Sequence, residues 1–200
     1  MAERRITALV GSYRKGGIIE QAVDEILAAA AASGAVTQKI FLLDRRIDFC
    51  TNCRTCTQRE GIDRGQCILT DGMDALLAEL ARADALVLAS PVNFGTVTAL
   101  TKRFIERLVC FAFWPWGAMA PQVRNPQKKK RAVVVVASAA PALLTRLATR
   151  SVGLLERAAG LLGARTFGVL SIGLAARRQS QEISERTRRK ARRLGEKLAI

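Results

Sequence analysis

The stretch "AVVVVA", residues 132–137, contains only apolar side chains. A strand of this composition has no face for water, which is typical of a parallel sheet that helices cover on both sides. Four other segments have the composition of strands, and several are similarly apolar: ITALV at 6–10, TQKIFLL at 37–43, ALVLA at 85–89 and TFGVLSI at 166–172. The residues at 132–137 therefore predict that these segments form one buried sheet.

Amphipathic helices are predicted between these strands, because apolar residues recur there at helical spacing. The helical segments run from Ile19 to Ala30, from Met73 to Leu80, from Leu100 to Phe111 and within Pro141 to Leu162, with a basic helix at about 179–198. Strands that alternate with helices are typical of a doubly wound α/β fold, a three-layer αβα arrangement. Residues 1–200 are predicted to form a single domain.

The chain has 200 residues, half of them hydrophobic, and a formal net charge of +15. No stretch approaches the roughly 20 apolar residues of a membrane span, and the apolar run in MAERRITALV is too short for a secretory signal. We therefore predict a cytoplasmic protein. The basic tail is interpreted as a solvated helix face. Because nucleic-acid motifs are not recognisable and aromatic residues are few, a nucleic-acid partner is not expected.

The loop GSYRKGG, residues 11–17, follows the first strand and precedes a helix. Ser12 offers a hydroxyl, Arg14 a fork of donors, and Gly16 and Gly17 expose backbone amides at the helix N-terminus. This set favours a dianionic phosphate, although a glycine-containing loop without a ligand has the same composition. The loop lacks the G-x-G-x-x-G and G-x-x-x-x-G-K-[ST] patterns of nucleotide sites.

The loop SPVNFG, residues 90–95, follows the third strand, and a further loop at 138–141 follows the fourth. Ligands of doubly wound sheets bind beyond the carboxyl ends of the strands, so these loops share one edge with the first loop. Pro91 stiffens the chain, Phe94 offers a flat apolar surface and Gly95 permits close packing. Two interpretations stay open: a planar ring that lies against this loop, and a plain turn between strand and helix.

The chain has five cysteines. Four of them follow the pattern C-x2-C-x2-C-x10-C in a cysteine loop at about 48–70: Cys50, Cys53, Cys56 and Cys67. Cys110 stands apart and is interpreted as a small buried hydrophobe. Four interpretations stay open for the spaced cysteines: a four-iron, four-sulfur cluster, a structural zinc site, thiol–disulfide redox chemistry and free thiols.

The motifs GSYRKGG, ASPVNFG and CTNCRTC together resemble those of the flavodoxin-like NAD(P)H-dependent FMN reductases, and specifically the iron-sulfur flavoprotein branch. The motif-bearing resemblance covers about residues 6 to 108. It implies a flavodoxin-like five-stranded parallel sheet in the order 2-1-3-4-5, counted along the chain. It also implies FMN as the cofactor and NAD(P)H as the reductant.

By this resemblance, three loops would bind FMN and the cysteine loop would bind a cluster. The first loop would hold the phosphate, through Ser12, Arg14, Gly16, Gly17 and the amides of Ile18 and Ile19. The second would lie beside the isoalloxazine ring, through Pro91, Val92, Asn93, Phe94 and Gly95. In the third, Ser138 would lie near the polar edge of the flavin. The ligands of the four-iron, four-sulfur cluster would be Cys50, Cys53, Cys56 and Cys67.

The chain departs from the family pattern at several positions. Ile18 and Ile19 stand where polar residues are common, so side-chain donors to the phosphate are missing. Asn93 stands where an aromatic residue is usual, the third loop lacks the family's frequent glycines, and the gap before Cys67 is longer. These departures predict weaker FMN binding than is usual in the family.

The resemblance implies an oxidoreductase in which a hydride passes from NAD(P)H to the N5 atom of FMN. The flavin then reduces a small-molecule electron acceptor or a redox protein. The chain has no histidine, so the sequence does not identify a catalytic acid or base. The alternative is a flavodoxin-like electron-transfer or regulatory protein with zinc or redox-active thiols and no turnover of its own.

The stretch FAFWPWGAMAP, residues 111–121, is an unusually apolar segment. Exposed apolar patches usually mark interfaces between proteins. We therefore predict a homodimer or homotetramer, with this stretch at a subunit contact or as a cover of the core.

Overall fold

The computed structural model describes residues 3–200, without the side chains of residues 146–148. Eight strands form two sheets in this part of the chain. They are β1 (Arg5–Val10), β2 (Val36–Phe41), β3 (Ala85–Asn93), β4 (Thr96–Val97), β5 (Ala112–Phe113), β6 (Gln122–Val123), β7 (Lys130–Ala137) and β8 (Ala164–Ile172).

Six α-helices and three short 3₁₀ turns connect the strands over the same residues. The helices are α1 (Ile18–Ala32), α2 (Met73–Ala81), α3 (Ala99–Arg107), α4 (Ala142–Ala148), α5 (Ser151–Leu161) and α6 (Glu185–Ala199). The 3₁₀ turns are Leu42–Asp44, Thr55–Thr57 and Leu108–Phe111. Among the described residues, no helix combines the length and the apolar character that crossing a membrane requires.

The main sheet has the order β2-β1-β3-β7-β8, and each of these neighbours pairs in parallel. Counted along the chain this is the order 2-1-3-4-5, so the flavodoxin-like doubly wound fold is confirmed. β4 adds a short antiparallel pairing to the end of β3. β5 and β6 form a separate antiparallel hairpin.

Helices cover both faces of the main sheet. On one face, α2, α3 and α5 pack against alternate strand residues, among them Leu88 and Val134. On the other face, α1 and α6 pack against the intervening residues, among them Val87 and Val133. The four valines of β7 are inaccessible to solvent. This burial on both faces is what the apolar run at 132–137 predicted.

The carboxyl ends of β1, β3 and β7 lie at one edge of the sheet, because Val10 pairs with Ala89 and Ala89 pairs with Val135. The strand order reverses here, since the chain moves outward from β1 to β2 and then returns to β3 on the other side of β1. The loops after these three strands therefore meet where doubly wound sheets bind ligands.

The basic helix predicted at about 179–198 begins at Glu185. Ser184 is its N-cap, and the side chain of Ser184 accepts a hydrogen bond from the amide of Thr187. An N-cap residue has extended backbone angles and stops the helix from continuing toward the N-terminus. The preceding residues instead form a connection, residues 173–184, that turns back toward the first loop.

Several predicted elements differ at their ends, including the fourth helical region and the second strand. The region from Pro141 to Leu162 forms two helices, α4 and α5, because Thr149 is extended between them. The strand predicted at 37–43 ends at Phe41, where the chain enters the first 3₁₀ turn. Neither difference changes the order of the strands.

α6 approaches the backbone of α1 closely at Gly195. A Cβ atom there would lie 2.1 Å from the carbonyl oxygen of Ile26. On the same side of α6, Arg188 and Arg192 each bind the carboxylate of Glu25 with a nitrogen–oxygen distance of 2.7 Å. The contact between the two helices therefore requires a residue without a side chain at position 195.

We predict that the substitution Gly195→Ala lowers the free energy of unfolding by about 1–3 kcal/mol, because it overpacks a rigid backbone contact. Gly153, inside α5, is the matched control, since a Cβ there would meet no atom within 4 Å. Gly153→Ala should raise stability by about 0.5–1 kcal/mol through helix propensity alone. Urea denaturation of both variants tests this. Equal stability of the two variants would contradict the packing argument.

Candidate functional site

Buried hydroxyl groups join the first loop to the start of α3. The amide of Gly11 donates a hydrogen bond to the carbonyl oxygen of Ala89 at 2.8 Å. Thr98 donates through Oγ1 to the carbonyl oxygen of Gly11 at 2.7 Å and also accepts from the amide of Thr101 as the N-cap of α3. The position of the first loop is therefore set by β3 and by the N-terminus of α3.

Gly11 has no side chain because α3 leaves no room for one. A Cβ at Gly11 would lie 1.8 Å from Oγ1 of Thr101. The hydroxyl of Tyr13 accepts a hydrogen bond from the amide of Leu100 at 3.1 Å, which adds a second link to the same helix. Neither Thr101 nor Tyr13 is among the residues predicted to form the site. The spacing of Thr98 and Thr101, three residues apart, is the sequence pattern that indicates a buried hydroxyl cap at the N-terminus of α3.

The two side-chain donors predicted for the phosphate are both engaged with the backbone. Ser12 is buried, and its Oγ donates to the carbonyl oxygen of Arg14 at 3.2 Å and accepts from the amide of Arg14 at 3.1 Å. The guanidinium of Arg14 donates to the carbonyl oxygen of Gln179 at 2.5 Å. The connection at 173–184 thus binds the side chain of Arg14, which the family resemblance assigns to the phosphate.

The N-terminus of α1 presents backbone amides without a side-chain cap. Gly17 is the N-cap residue, and no side chain accepts a hydrogen bond there. The first amides of a helix, here those of Ile18 and Ile19, have no acceptor within the helix. Gly16 has a φ of +73°, and a Cβ on it would meet nothing within 4 Å, so the space beside it is open. This arrangement suits an anion.

A carboxylate already lies at this N-terminus. The amide of Gly16 donates to Oε2 of Glu20, and Oε1 of Glu20 binds Nζ of Lys39 at 2.6 Å. Burial works to raise the pKa of Glu20. The hydrogen bonds from Lys39 and Gly16 and the charges of Lys39 and Lys15 outweigh burial and hold the pKa below its ordinary value. Glu20 is therefore ionised at neutral pH.

The second loop is a tight hairpin at the end of β3. Asn93 pairs with Thr96, and the two residues between them, Phe94 and Gly95, have φ values of +47° and +75°. Positive φ at both central residues is typical of the two-residue turns that fit twisted strands. Phe94 is fully exposed in this unusual conformation, so the turn presents an uncovered aromatic ring at the edge of the sheet.

The other predicted residues of this loop differ in exposure. Pro91 and Val92 are half-buried and Asn93 is exposed. The carbonyl oxygen of Gly95 accepts a hydrogen bond from the amide of Arg150 at 3.0 Å. The start of α5 thereby anchors the hairpin.

Ser138, in the third loop, is buried and bonded within its own surroundings. Its amide donates to the carbonyl oxygen of Ile172 at 2.9 Å. Its hydroxyl donates to the carbonyl oxygen of Ala140 at 3.1 Å and shares a hydrogen bond with the hydroxyl of Thr145. A ligand at this edge would therefore meet the backbone of the third loop before it met the Ser138 hydroxyl.

Three of the spaced cysteines, Cys50, Cys53 and Cys67, lie within electrostatic range of the fourth, Cys56. Burial raises the pKa of Cys56, and the charges of Cys67, Cys50 and Cys53 add to that rise. Cys53 is exposed, Cys50 and Cys67 are half-buried and Cys56 is buried. Across residues 3–200, however, no three His, Cys, Asp or Glu side chains converge closely enough to hold a metal ion. The thiols are neighbours in one loop, but they do not surround a common point.

Cys110 lies beside this group rather than apart from it. Its carbonyl oxygen accepts a hydrogen bond from the amide of Gly65 at 2.8 Å. Burial raises the pKa of the Cys110 thiol to about 12, and the charges of Cys56 and Cys67 contribute to the rise. Cys110 is buried as predicted. The tertiary structure brings it into the neighbourhood of the cysteine loop because the end of α3 packs under that loop.

A buried ion pair between Arg107 and Asp71 ties down both ends of the cysteine loop. The two side chains are 2% and 1% exposed, and the Nη1–Oδ2 distance is 2.5 Å. Arg107 also donates to the carbonyl oxygen of Asp48 at 2.9 Å and contacts Sγ of Cys67 at 3.6 Å. Burial works to raise the pKa of Asp71, but hydrogen bonds from Arg107 and from the amides of Asp48 and Met73 keep it low.

The middle of the cysteine loop is attached to the β5–β6 hairpin region by Arg54. Its guanidinium carbon lies 3.8 Å from the ring centre of Trp114 and 4.2 Å from that of Trp116. It also donates to the carbonyl oxygen of Trp114 at 2.7 Å. Two tryptophans of the apolar stretch at 111–121 therefore pack against Arg54 of the same chain, whereas Met119 is fully exposed. The predicted homodimer or homotetramer stays a prediction.

Comparison with known proteins gives a family match and partial relatives. The model of a family described as NADPH-dependent FMN reductase matches residues 4–170. An iron-sulfur flavoprotein of Archaeoglobus fulgidus is 33% identical over 111 residues, which are 56% of this chain and 48% of that protein. An iron-sulfur flavoprotein of Methanosarcina thermophila is 30% identical over 105 residues, 52% of each chain. The matched segment spans about half the length of these curated relatives.

Solved structures with little sequence identity share the fold over nearly the whole chain. An NAD(P)H:quinone oxidoreductase from Methanothermobacter marburgensis superposes with a TM-score of 0.74 at 18% identity, covering 98% of this chain and all of that one. An FMN-dependent NADH-azoreductase from Bacillus anthracis, in complex with FMN, has a TM-score of 0.69 at 11% identity, covering 99% and 100%. At 18% and 11% sequence identity, these superpositions show a shared fold and nothing more.

We predict that Arg107→Met lowers the free energy of unfolding by about 3–5 kcal/mol, because it leaves the Asp71 carboxylate buried without its partner. Lys102 and Glu106 form an exposed ion pair on α3, so Lys102→Met is the control and should change stability by at most about 1 kcal/mol. Urea denaturation compares the two. Limited proteolysis should also cut residues 48–70 faster in Arg107→Met; unchanged cleavage would argue against the anchoring role.

Proposed function

The chain belongs to the family of NADPH-dependent FMN reductases, and we propose that it is an FMN-dependent oxidoreductase that uses NAD(P)H to reduce an acceptor. The observation that carries the proposal is the N-terminus of α1, whose N-cap residue has no side chain, at the switch point between β1 and β3. Both the position in the sheet and the row of backbone amides suit a phosphate group.

In this proposal the phosphate of FMN is held mainly by the backbone. The amides of Ile18 and Ile19 are available at the first turn of α1, and Gly16 leaves open space beside them. The side chains of Ser12 and Arg14, which the family resemblance assigns to the phosphate, would have to exchange their present backbone partners for it. Phosphate binding would therefore be accompanied by release of Arg14 from the connection at 173–184.

The flavin ring would lie at the second and third loops. The exposed ring of Phe94 and the half-buried Pro91 and Val92 offer apolar surface at the carboxyl edge. The buried hydrogen bond of Thr98 to Gly11 and the backbone hydrogen bond of Arg150 to Gly95 hold this surface at a set position relative to the first loop. A preorganised surface reduces the entropy lost when a planar group binds.

When bound, FMN supplies two-electron transfer between the nicotinamide of NAD(P)H and the acceptor. The chain's own residues bind the phosphate, orient the ring and shield one side of it from water. The chain contains no histidine, so a proton for the acceptor would come from another side chain or from water.

The substitution Gly16→Val tests the phosphate site. Gly34, at the other end of α1, has a similar φ of +88° and equally open surroundings, so Gly34→Val is a matched control. Each variant should lose about 1–2 kcal/mol of stability, because a side chain is strained at positive φ. Only Gly16→Val should bind FMN more weakly, by about tenfold, since its side chain fills the phosphate space.

FMN binding is measured by quenching of flavin fluorescence, and NADH and NADPH oxidation by absorbance with a quinone acceptor. Failure of the wild-type protein to bind FMN, or equal affinities of the two variants, would overturn the proposed site. Riboflavin, which lacks the phosphate, should bind Gly16→Val and Gly34→Val equally well.

We further propose that Cys50, Cys53, Cys56 and Cys67 hold a four-iron, four-sulfur cluster. The donor set fits such a cluster in chemistry, because the loop carries four thiols and three of them lie within electrostatic range of Cys56. The loop would have to contract around the cluster, since the thiols do not surround one point in the described structure. The names of the matched relatives also support this assignment.

The alternative for these cysteines is redox-active thiols or zinc in a protein without turnover. One observation favours thiol chemistry: hydrogen bonds from the side chain and then the backbone of Thr55 lower the pKa of the exposed Cys53 thiol. A lowered pKa makes a thiol more reactive at neutral pH.

Anaerobic reconstitution with iron and sulfide distinguishes these assignments. We expect iron and sulfide to be retained by the wild-type protein and by Cys110→Ser, because Cys110 is not a ligand in this proposal. Cys67→Ser should lose most of both, as judged by metal analysis and visible absorbance. Retention of zinc, or of no metal, by the wild-type protein would favour the alternative.

A further inference from the structure

Glu20 lies in the first turn of α1 and accepts a hydrogen bond from a backbone amide of the first loop. Its Oε2 accepts from the amide of Gly16, in the loop that the proposed function assigns to the phosphate of FMN. The side chain is held there from the other side by Nζ of Lys39, 2.6 Å from Oε1. The carboxylate thus engages a donor that the phosphate would otherwise use.

The positive charges around the first loop are already bound to other groups. Lys15 binds Asp44 at 2.8 Å, and Arg14 donates to the carbonyl oxygen of Gln179 at 2.5 Å. Lys39 binds Asp24 as well as Glu20, with a distance of 2.7 Å between its Nζ and Oδ1 of Asp24. A dianionic phosphate that enters this loop would therefore approach the carboxylate of Glu20. The cations near that carboxylate are already bound to other carboxylates or to carbonyl groups.

We propose that Glu20 is an internal competitor of the FMN phosphate, which lowers the affinity of the first loop for a phosphorylated flavin relative to an unphosphorylated one. The inference rests on the proposed function, because it assumes that the first loop is the phosphate site. For the phosphate to bind, Glu20 moves away from Gly16 or stays close to a like charge, and either costs affinity.

An acidic residue in the first turn also stabilises a helix through the exposed amides, so the charge of Glu20 must be separated from its hydrogen bond to Gly16. Glu20→Gln does this, since the amide oxygen of glutamine still accepts from Gly16 but carries no charge. Glu20→Asp keeps the charge on a side chain one methylene shorter, which reduces its reach toward Gly16. Asp24→Asn is the matched control, because it removes a carboxylate from the same lysine one turn further along α1.

The experiment measures dissociation constants for FMN and for riboflavin by fluorescence quenching, with thermal denaturation as a check on folding. We expect Glu20→Gln to bind FMN about fivefold more tightly than the wild-type protein, with riboflavin affinity unchanged. Glu20→Asp should show a smaller gain. Asp24→Asn should change FMN affinity less than Glu20→Gln does.

Each outcome decides the inference. If Glu20→Gln and Glu20→Asp bind FMN no more tightly than a wild-type protein that does bind it, the inference is overturned and the proposed function stands. If the wild-type protein and all variants bind FMN no better than riboflavin, the phosphate site and this inference both fail. Tighter FMN binding by Glu20→Gln than by a wild-type protein that itself binds FMN, with riboflavin affinity unchanged, supports both.

Discussion

The central strands of the sheet have to be covered on both faces, because residues 132–137 of β7 have no polar side chain to present to water on either face. The helices divide accordingly, with α1 and α6 on one face and α2, α3 and α5 on the other. Parallel strands joined through such helices all end at the same edge. The loops after β1, β3 and β7 therefore lie together as a consequence of burial, before any ligand is considered.

The whole chain is strongly basic, but the lysines beside the candidate site are paired with carboxylates. The formal net charge is +15, yet the cations beside the first loop are engaged, Lys15 by Asp44 and Lys39 by Glu20 and Asp24. The cysteine loop depends similarly on the ion pair of Arg107 with Asp71, which is buried and bonded to the backbone at Asp48. In both places neutralised pairs, and not excess charge, hold the loops in position.

The fold and the positions of the loops were predictable because they depend on patterns a few residues long. Apolar runs indicate the strands, and glycines with short polar residues indicate the loops after them. The orientations of the loop side chains were not predictable in this way. Arg14 donates to Gln179, 165 residues away, and Thr98 to Gly11, 87 residues away. Cys110 lies near the cysteine loop only because α3 packs beneath that loop.

By itself, the sequence determined the doubly wound sheet, the three loops at its carboxyl edge and the grouping of four cysteines, because local composition and spacing encode these features. The strand order followed from the family resemblance. The tertiary structure alone decided which donors face the site, that Glu20 lies at the amide of Gly16, and that Arg107 binds both ends of the cysteine loop. These depend on contacts between distant parts of the chain, where several partners compete for each polar group and packing selects among them.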